Sequence, residues 1–110
     1  NKKSIKLERY DKEKLKVYNA YNFPNPFSRS TKFIFELTEN ADITLELFTL
    51  GGRRIKKFNY NNLQIGYHYI GWDGRNSFGD IIANGVYIYV IKASNSNQKT
   101  SFIGRCVKFQ

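Results

Sequence analysis

Few side chains in this sequence are equipped for covalent or metal chemistry. There is one cysteine, Cys106, and one histidine, His68. Cys106 lies inside an apolar alternation, which reads as a buried, inert thiol rather than a nucleophile. A single cysteine cannot close an internal disulfide. His68 stands between Tyr67 and Tyr69, with no second histidine to share a metal, and reads as a strand-surface or end-of-core residue. The serines fall mostly in turn-like stretches, so no nucleophile, base and orienting group come together. Asp73, Asn76 and Asp80 invite a calcium-loop reading, but the ligand spacing of an EF-hand is missing. Side chains that stabilise a turn explain those three residues better. The sequence therefore points to a noncatalytic protein that needs neither cofactor nor metal.

What remains is charge. The net charge of +9 favours partners such as nucleic acid, anionic lipid or lipopolysaccharide. One basic cluster lies in residues 1–16 (Lys2, Lys3, Lys6, Arg9, Lys12, Lys14, Lys16). A second is Arg53, Arg54, Lys56 and Lys57, beside Phe58 and Tyr60. Basic and aromatic residues together can hold single strands, but no specific nucleic-acid motif accompanies them, so no nucleic-acid partner is expected. The second cluster is the candidate contact to an anionic surface such as lipopolysaccharide, with an ordinary solvated surface as the expected outcome.

The elements that must position these residues read as strands. At 110 residues the chain is one domain, with a core rich in aromatics. Residues 1–14 read as a basic linker or loose first strand, and residues 15–110 as the folded domain. The chain begins with Asn, as expected of a processed product or an excised piece, and carries no signal peptide and no apolar run long enough to span a membrane as a helix. Leu15–Tyr18 opens the organised part. Residues 21–28 contain two prolines and form an extended opening segment, whose aromatics are expected to cap one end of the core; a polyproline ligand is the alternative. Thr31–Leu37 alternates, with Phe33, Phe35 and Leu37 inward. Ile43–Leu50 alternates again, with Ile43, Leu45 and Leu47 inward. A short polar link joins the two, which predicts an antiparallel hairpin. Arg53–Phe58 is a further strand anchored by Ile55, and residues 59–64 read as an Asn-rich turn.

The chain is organised around residues 66–92. Gly66–Trp72 is a strand that runs into Asp73-Gly74 and Gly79-Asp80, both turn chemistry. Asn84-Gly85 then precedes an apolar run in which Tyr87, Tyr89 and Ile91 face the core. Residues 93–99 form a hairpin turn, and Thr100–Phe109 is the last strand. Seven short strands without a helical stripe predict an all-β fold, a seven-stranded antiparallel Ig-like β-sandwich.

Four motifs in order give a resemblance. Asn22-Phe23-Pro24-Asn25-Pro26-Phe27 resembles the Y-P-N-P-F opening of C-terminal sorting domains of the type IX secretion system, with Phe23 in place of Tyr. Leu50-Gly51-Gly52-Arg53 is similar to the D-x-x-G-R turn that follows. Trp72-Asp73-Gly74-Arg75, Gly79-Asp80 and Ala83-Asn84-Gly85-Val86-Tyr87 resemble the W-D-G-R-D-x-x-G and S-G-V-Y pattern of the FlgD-like Ig domain of flagellar hook-cap proteins. Residues 105–109 stand where the family ends in a short basic-apolar strand, with Cys106 an unusual member. The long W-D-G turn is also similar to the C-terminal domains of gingipain-like peptidases and of the sortase of that secretion system. The resemblance implies a sorting module of a secreted or cell-surface protein. Its partners would be an outer-membrane translocon or shuttle protein and a parent protein N-terminal to residue 1. Arg105, Val107, Lys108 and Phe109 would be the residues read, and recognition by strand addition at a free sheet edge is one expected mode. The alternatives are an assembly module of the hook-cap kind, or an adhesive or carbohydrate-binding sandwich. Exposed aromatics are expected to be too few for a sugar platform.

Overall fold

The structure is a computed structural model, and it describes residues 14–110. The basic linker expected at 1–14 therefore lies almost entirely outside the described residues. Seven strands form two antiparallel sheets. They are β1 (Val17–Phe23), β2 (Thr31–Leu37), β3 (Ala41–Thr49), β4 (Arg54–Leu63), β5 (Gly66–Trp72), β6 (Gly85–Ser94) and β7 (Lys99–Lys108). One sheet has the order β1-β2-β5 and the other β4-β3-β6-β7. The result is the expected Ig-like sandwich.

Period-two alternation builds the core, because alternate side chains of a strand share a face. Phe33, Phe35 and Leu37 of β2 are buried, as are Ile43, Leu45 and Leu47 of β3 and Tyr87, Tyr89 and Ile91 of β6. Trp72 closes β5 and is also buried. Rings pack within and between the sheets: Phe33 meets Tyr89 of the other sheet edge-on at 4.8 Å and Trp72 of its own sheet at 6.2 Å.

Four expectations change. Strands β2 and β3 are not a hairpin, because they belong to different sheets. Alternation says which face of a strand is buried, but a short polar link serves a hairpin and an inter-sheet corner equally. Here the corner is pinned: the Thr38 hydroxyl donates to the Lys14 carbonyl at 2.8 Å, and Asn40 Oδ1 accepts from the Ile65 N–H at 2.7 Å. Residues 59–63 are strand rather than turn. They are polar because β4 is an edge strand whose flank faces water, with Asn59 opposite Thr44 and Leu63 opposite Ala41. The turn after β6 is shorter than expected, since Asn95 Oδ1 accepts from both Asn97 and Gln98 N–H groups at 3.0 Å.

The fourth change concerns the opening aromatics. Phe27 enters the core, but Tyr21 and Phe23 stay outside, 50% and 66% exposed. The register between β1 and β2 shifts between Tyr18 and Tyr21, and Asn19 there has φ 52. This bulge inserts an extra residue, which re-aims the side chains that follow. Asn22 therefore points inward, while Tyr18, Tyr21 and Phe23 share the outer face.

Candidate functional site

The motifs noted in the sequence converge on one end of the sandwich, around Phe27. The segment holding the two prolines has few N–H groups to give. It uses Phe27 to clamp the chain end: the Phe27 N–H donates to the Val107 carbonyl and the Phe109 N–H donates to the Phe27 carbonyl, both at 2.9 Å. Asn25 completes the clamp, its Oδ1 accepting from the Val107 N–H at 2.9 Å. Phe27 and Lys108 thus form a parallel bridge between the opening motif and the last strand.

The W-D-G turn packs on the same point. The Phe27 and Trp72 ring centroids are 5.6 Å apart. The indole N–H of Trp72 donates to the Arg75 carbonyl at 2.9 Å. Gly74 has φ 73, and a Cβ there would stand 2.8 Å from the Arg29 carbonyl oxygen, so only glycine fits. Asn76 Oδ1 accepts from the Phe78 and Asp80 N–H groups at 2.9 and 3.0 Å, and Asp73 Oδ1 accepts from Arg75 N–H at 3.1 Å. These oxygens organise the turn, the role expected of Asx side chains. Among the described residues no three His, Cys, Asp or Glu groups cluster as a metal site. Asn84 joins the same end, accepting from the Gln110 N–H at 3.1 Å.

The four terminal residues are presented differently. Arg105 and Phe109 are exposed and Val107 is half-buried. Lys108 is 2% exposed, and its Nζ donates to Gln110 Oε1 at 3.1 Å. It lines a cleft of about 280 Å³ together with Arg29, Arg75 and Asp73. Its charge is therefore recessed rather than displayed on the strand. Lys108 shares the inward face of β7 with Cys106, so alternation itself turns it inward. Strand β7 is an edge strand, yet the backbone of Val107 and Phe109 is already bonded to the opening segment. Strand addition at this tip is closed.

The other sequence candidates take no part in the clamp, although the Ser77 N–H of the W-D-G turn donates to the Ile55 carbonyl at 2.9 Å, beside the basic cluster. Arg53, Arg54, Lys56 and Lys57 sit at the start of β4 without converging: Arg54 Nη1 is 2.9 Å from Glu46 Oε2, while Lys56 lies over the Phe58 ring at 5.4 Å. Lys56 lines an open groove between the sheets with Lys32, Phe58 and Trp72. Cys106 is fully buried, and burial pushes its thiol up to about 12, which leaves no thiolate at neutral pH. His68 is half-buried on the inner face of β5, 5.8 Å from Phe35, its Nε2 2.6 Å from the Gln64 carbonyl oxygen.

Comparison with known proteins gives a family and a fold. The FlgD Ig-like domain matches residues 24–97. The basal-body rod modification protein FlgD of Salmonella typhimurium is 31% identical over 81 residues, which is 73% of this chain and 34% of that protein. The chain spans about a third of the length of the curated relatives it matches. Dimeric latent PorU from Porphyromonas gingivalis superposes with a TM-score of 0.71 at 20% identity, covering 81% of this chain and 9% of that one. PorZ of the same organism, a surface component of its type IX secretion system, superposes at 0.59 and 18% identity, covering 84% and 12%. The matched family region ends two residues before β7.

Proposed function

We infer the function from one premise: the chain belongs to the FlgD Ig-like domain family. We propose that it is a noncatalytic sorting module, read by the type IX secretion machinery and delivering its parent protein across the outer membrane to the cell surface. The observation that carries this reading is the clamp between Asn25-Pro26-Phe27 and β7. The two motifs that resemble a sorting domain stand at opposite ends of the sequence and are one structure. The clamp holds Arg105, Val107 and Phe109 in a fixed order on a rigid strand. A recognised tip benefits from such pre-ordering, since less freedom is lost on binding. The cleft beside Lys108, where Arg29 and Arg75 outnumber Asp73, suits an acidic side chain of an outer-membrane translocon or shuttle protein. Resemblance in fold to PorU and PorZ supports the reading.

A second reading, an assembly module in a flagellar cap, is favoured by the 31% identity to FlgD. One experiment separates the two. The domain is fused to a fluorescent cargo bearing a signal peptide, in a host with a type IX system, and surface fluorescence is measured. The intact domain should deliver cargo, and Arg105→Ala with Phe109→Ala should reduce delivery while the domain stays folded. Normal delivery by that variant would remove the tip as the signal. No delivery by the intact, folded domain would favour the assembly module.

A further inference from the structure

The outer face of the three-stranded sheet is aromatic. Tyr18, Tyr21 and Phe23 of β1 and Tyr67 and Tyr69 of β5 are 45–68% exposed. The register sets them in rows across the sheet: Tyr18–Glu36–Tyr67, Tyr21–Ile34–Tyr69 and Phe23–Lys32–Gly71. Only the bulge at Asn19 allows this, because three residues separate Tyr18 from Tyr21 and an unbroken strand would put them on opposite faces. The expectation that exposed aromatics are too few for a sugar platform is thereby overturned.

We propose that this face binds an acidic polysaccharide, one with carboxylates on part of its sugars. Tyrosine suits a surface that stays wet until it binds, with an apolar ring and a hydrogen-bonding tip. The electron-rich ring face accepts the C–H groups of a sugar, and the phenol meets its hydroxyls. Strands lie about 4.8 Å apart, so the β1 and β5 columns are separated by about 9.5 Å, and successive rows by about 6.7 Å. That separation is roughly the length of a disaccharide, so alternate sugars of an extended glycan can rest on the two columns. The charges agree. Lys16 and Lys32 stand over the Tyr18 and Tyr69 rings at 5.5 and 4.8 Å, placing cations where a sugar carboxylate would lie. Glu36 is half-buried and is held by Asn19 Nδ2 at 3.2 Å, a pair suited to sugar hydroxyls.

Other occupants fit less well. The exposed ring area is about 400–700 Å², judged from the usual burial of an aromatic, against the roughly 800 Å² a protein partner buries. Single-stranded nucleic acid carries a charge at every nucleotide, which Glu36 on the middle strand opposes.

The test is calorimetric titration of the 110-residue chain with a hyaluronan octasaccharide, which carries a carboxylate on alternate sugars. Binding is expected, weaker for neutral chitohexaose and absent for polyglutamate, which has charge without rings. The double variant Tyr67→Ala with Tyr69→Ala should lose about ten-fold in affinity, the scale of two ring contacts, with its melting temperature preserved. Lys32→Ala should lose roughly three-fold, and Arg105→Ala on the other sheet nothing. The proposal is overturned by an unchanged affinity in the folded double variant, by polyglutamate binding as well as hyaluronan, or by no hyaluronan binding. Tighter, steeply salt-dependent binding of oligothymidylate would replace it with a nucleic-acid platform. A change in self-association alone, seen by sedimentation, would assign the face to a second copy.

Discussion

The two outer faces of the sandwich solve the same problem with different residues. The three-stranded sheet shows tyrosines to water, and its Glu36 is half-buried beside a neutral amide. The four-stranded sheet shows aliphatic side chains, among them Val86 and Ile103 on β6 and β7. In its middle Glu46 is 5% exposed, although it points away from the core. Its two oxygens lie 2.9 Å from Arg54 Nη1 and Lys92 Nζ, whose side chains are 50% and 59% exposed. A carboxylate dried by neighbouring aliphatics needs opposite charge, whereas a wetter one is content with a neutral amide. The neighbours, rather than the strand's alternation, decide how much electrostatics matters on each face.

The interior shared by both faces sets the upper end of the energy scale. Trp72→Ala should cost about 3–5 kcal/mol in denaturant unfolding, because the ring bridges Phe27 and Phe33. A loss below about 1 kcal/mol would mean that the ring does not hold the opening segment against the three-stranded sheet.

A second substitution asks why some tyrosines go inside. Tyr89 is buried over Gly104, and a Cβ on Gly104 would stand 2.4 Å from its ring. The outer tyrosines have no such seat. Gly104→Ala should cost about 1–3 kcal/mol by overpacking, read as a lower midpoint. A neutral result would show that Tyr89 can turn aside, blurring the line between inner and outer tyrosines.

A pair of charge removals addresses the faces directly. Glu46→Gln should cost about 1–2 kcal/mol, less than a fully buried pair because both cations keep contact with water. Glu36→Gln should change stability by less than about 0.5 kcal/mol. Equal effects in chemical denaturation would remove the distinction between the faces.

The core was legible in the sequence where alternation alone decides burial. Phe33, Phe35, Leu45, Leu47, Tyr87 and Tyr89 are all inside, as expected, and Trp72 lies with them. What alternation cannot carry was missed. It does not assign a strand to a sheet, so the β2–β3 corner read as a hairpin. It fails across a bulge, so the outward turn of Tyr21 and Phe23 at Asn19 was hidden, and the aromatic platform with it. It says nothing of contacts between distant segments, so the clamp of Phe27 on the last strand could not be read, whereas the inward turn of Lys108 follows from its parity with Cys106. Asn19 offered the one local signal, since Asn tolerates positive φ better than most residues.

The smallest expected effect is the dependence of Glu46 on pH, and it separates drying from simple proximity of charges. Burial alone would raise the Glu46 carboxyl, but hydrogen bonds and charge from Lys92 and Arg54 outweigh it and hold the group below its ordinary value of 4.5. A native-state value below the unfolded one means that the unfolded chain takes up the proton first. The stabilisation is therefore fully present above pH 4.5 and fades as the pH falls from there through the lowered native value. Urea unfolding at pH 7 and at successively lower pH should show the difference between wild type and Glu46→Gln shrinking along that acid limb. Salt gives the second arm: the dried pair should keep most of its effect as ionic strength rises, because buried charges are screened less than exposed ones. A Glu46 contribution that vanished in moderate salt would make it an ordinary surface ion pair, and the two faces would then differ only in the shape of their apolar side chains.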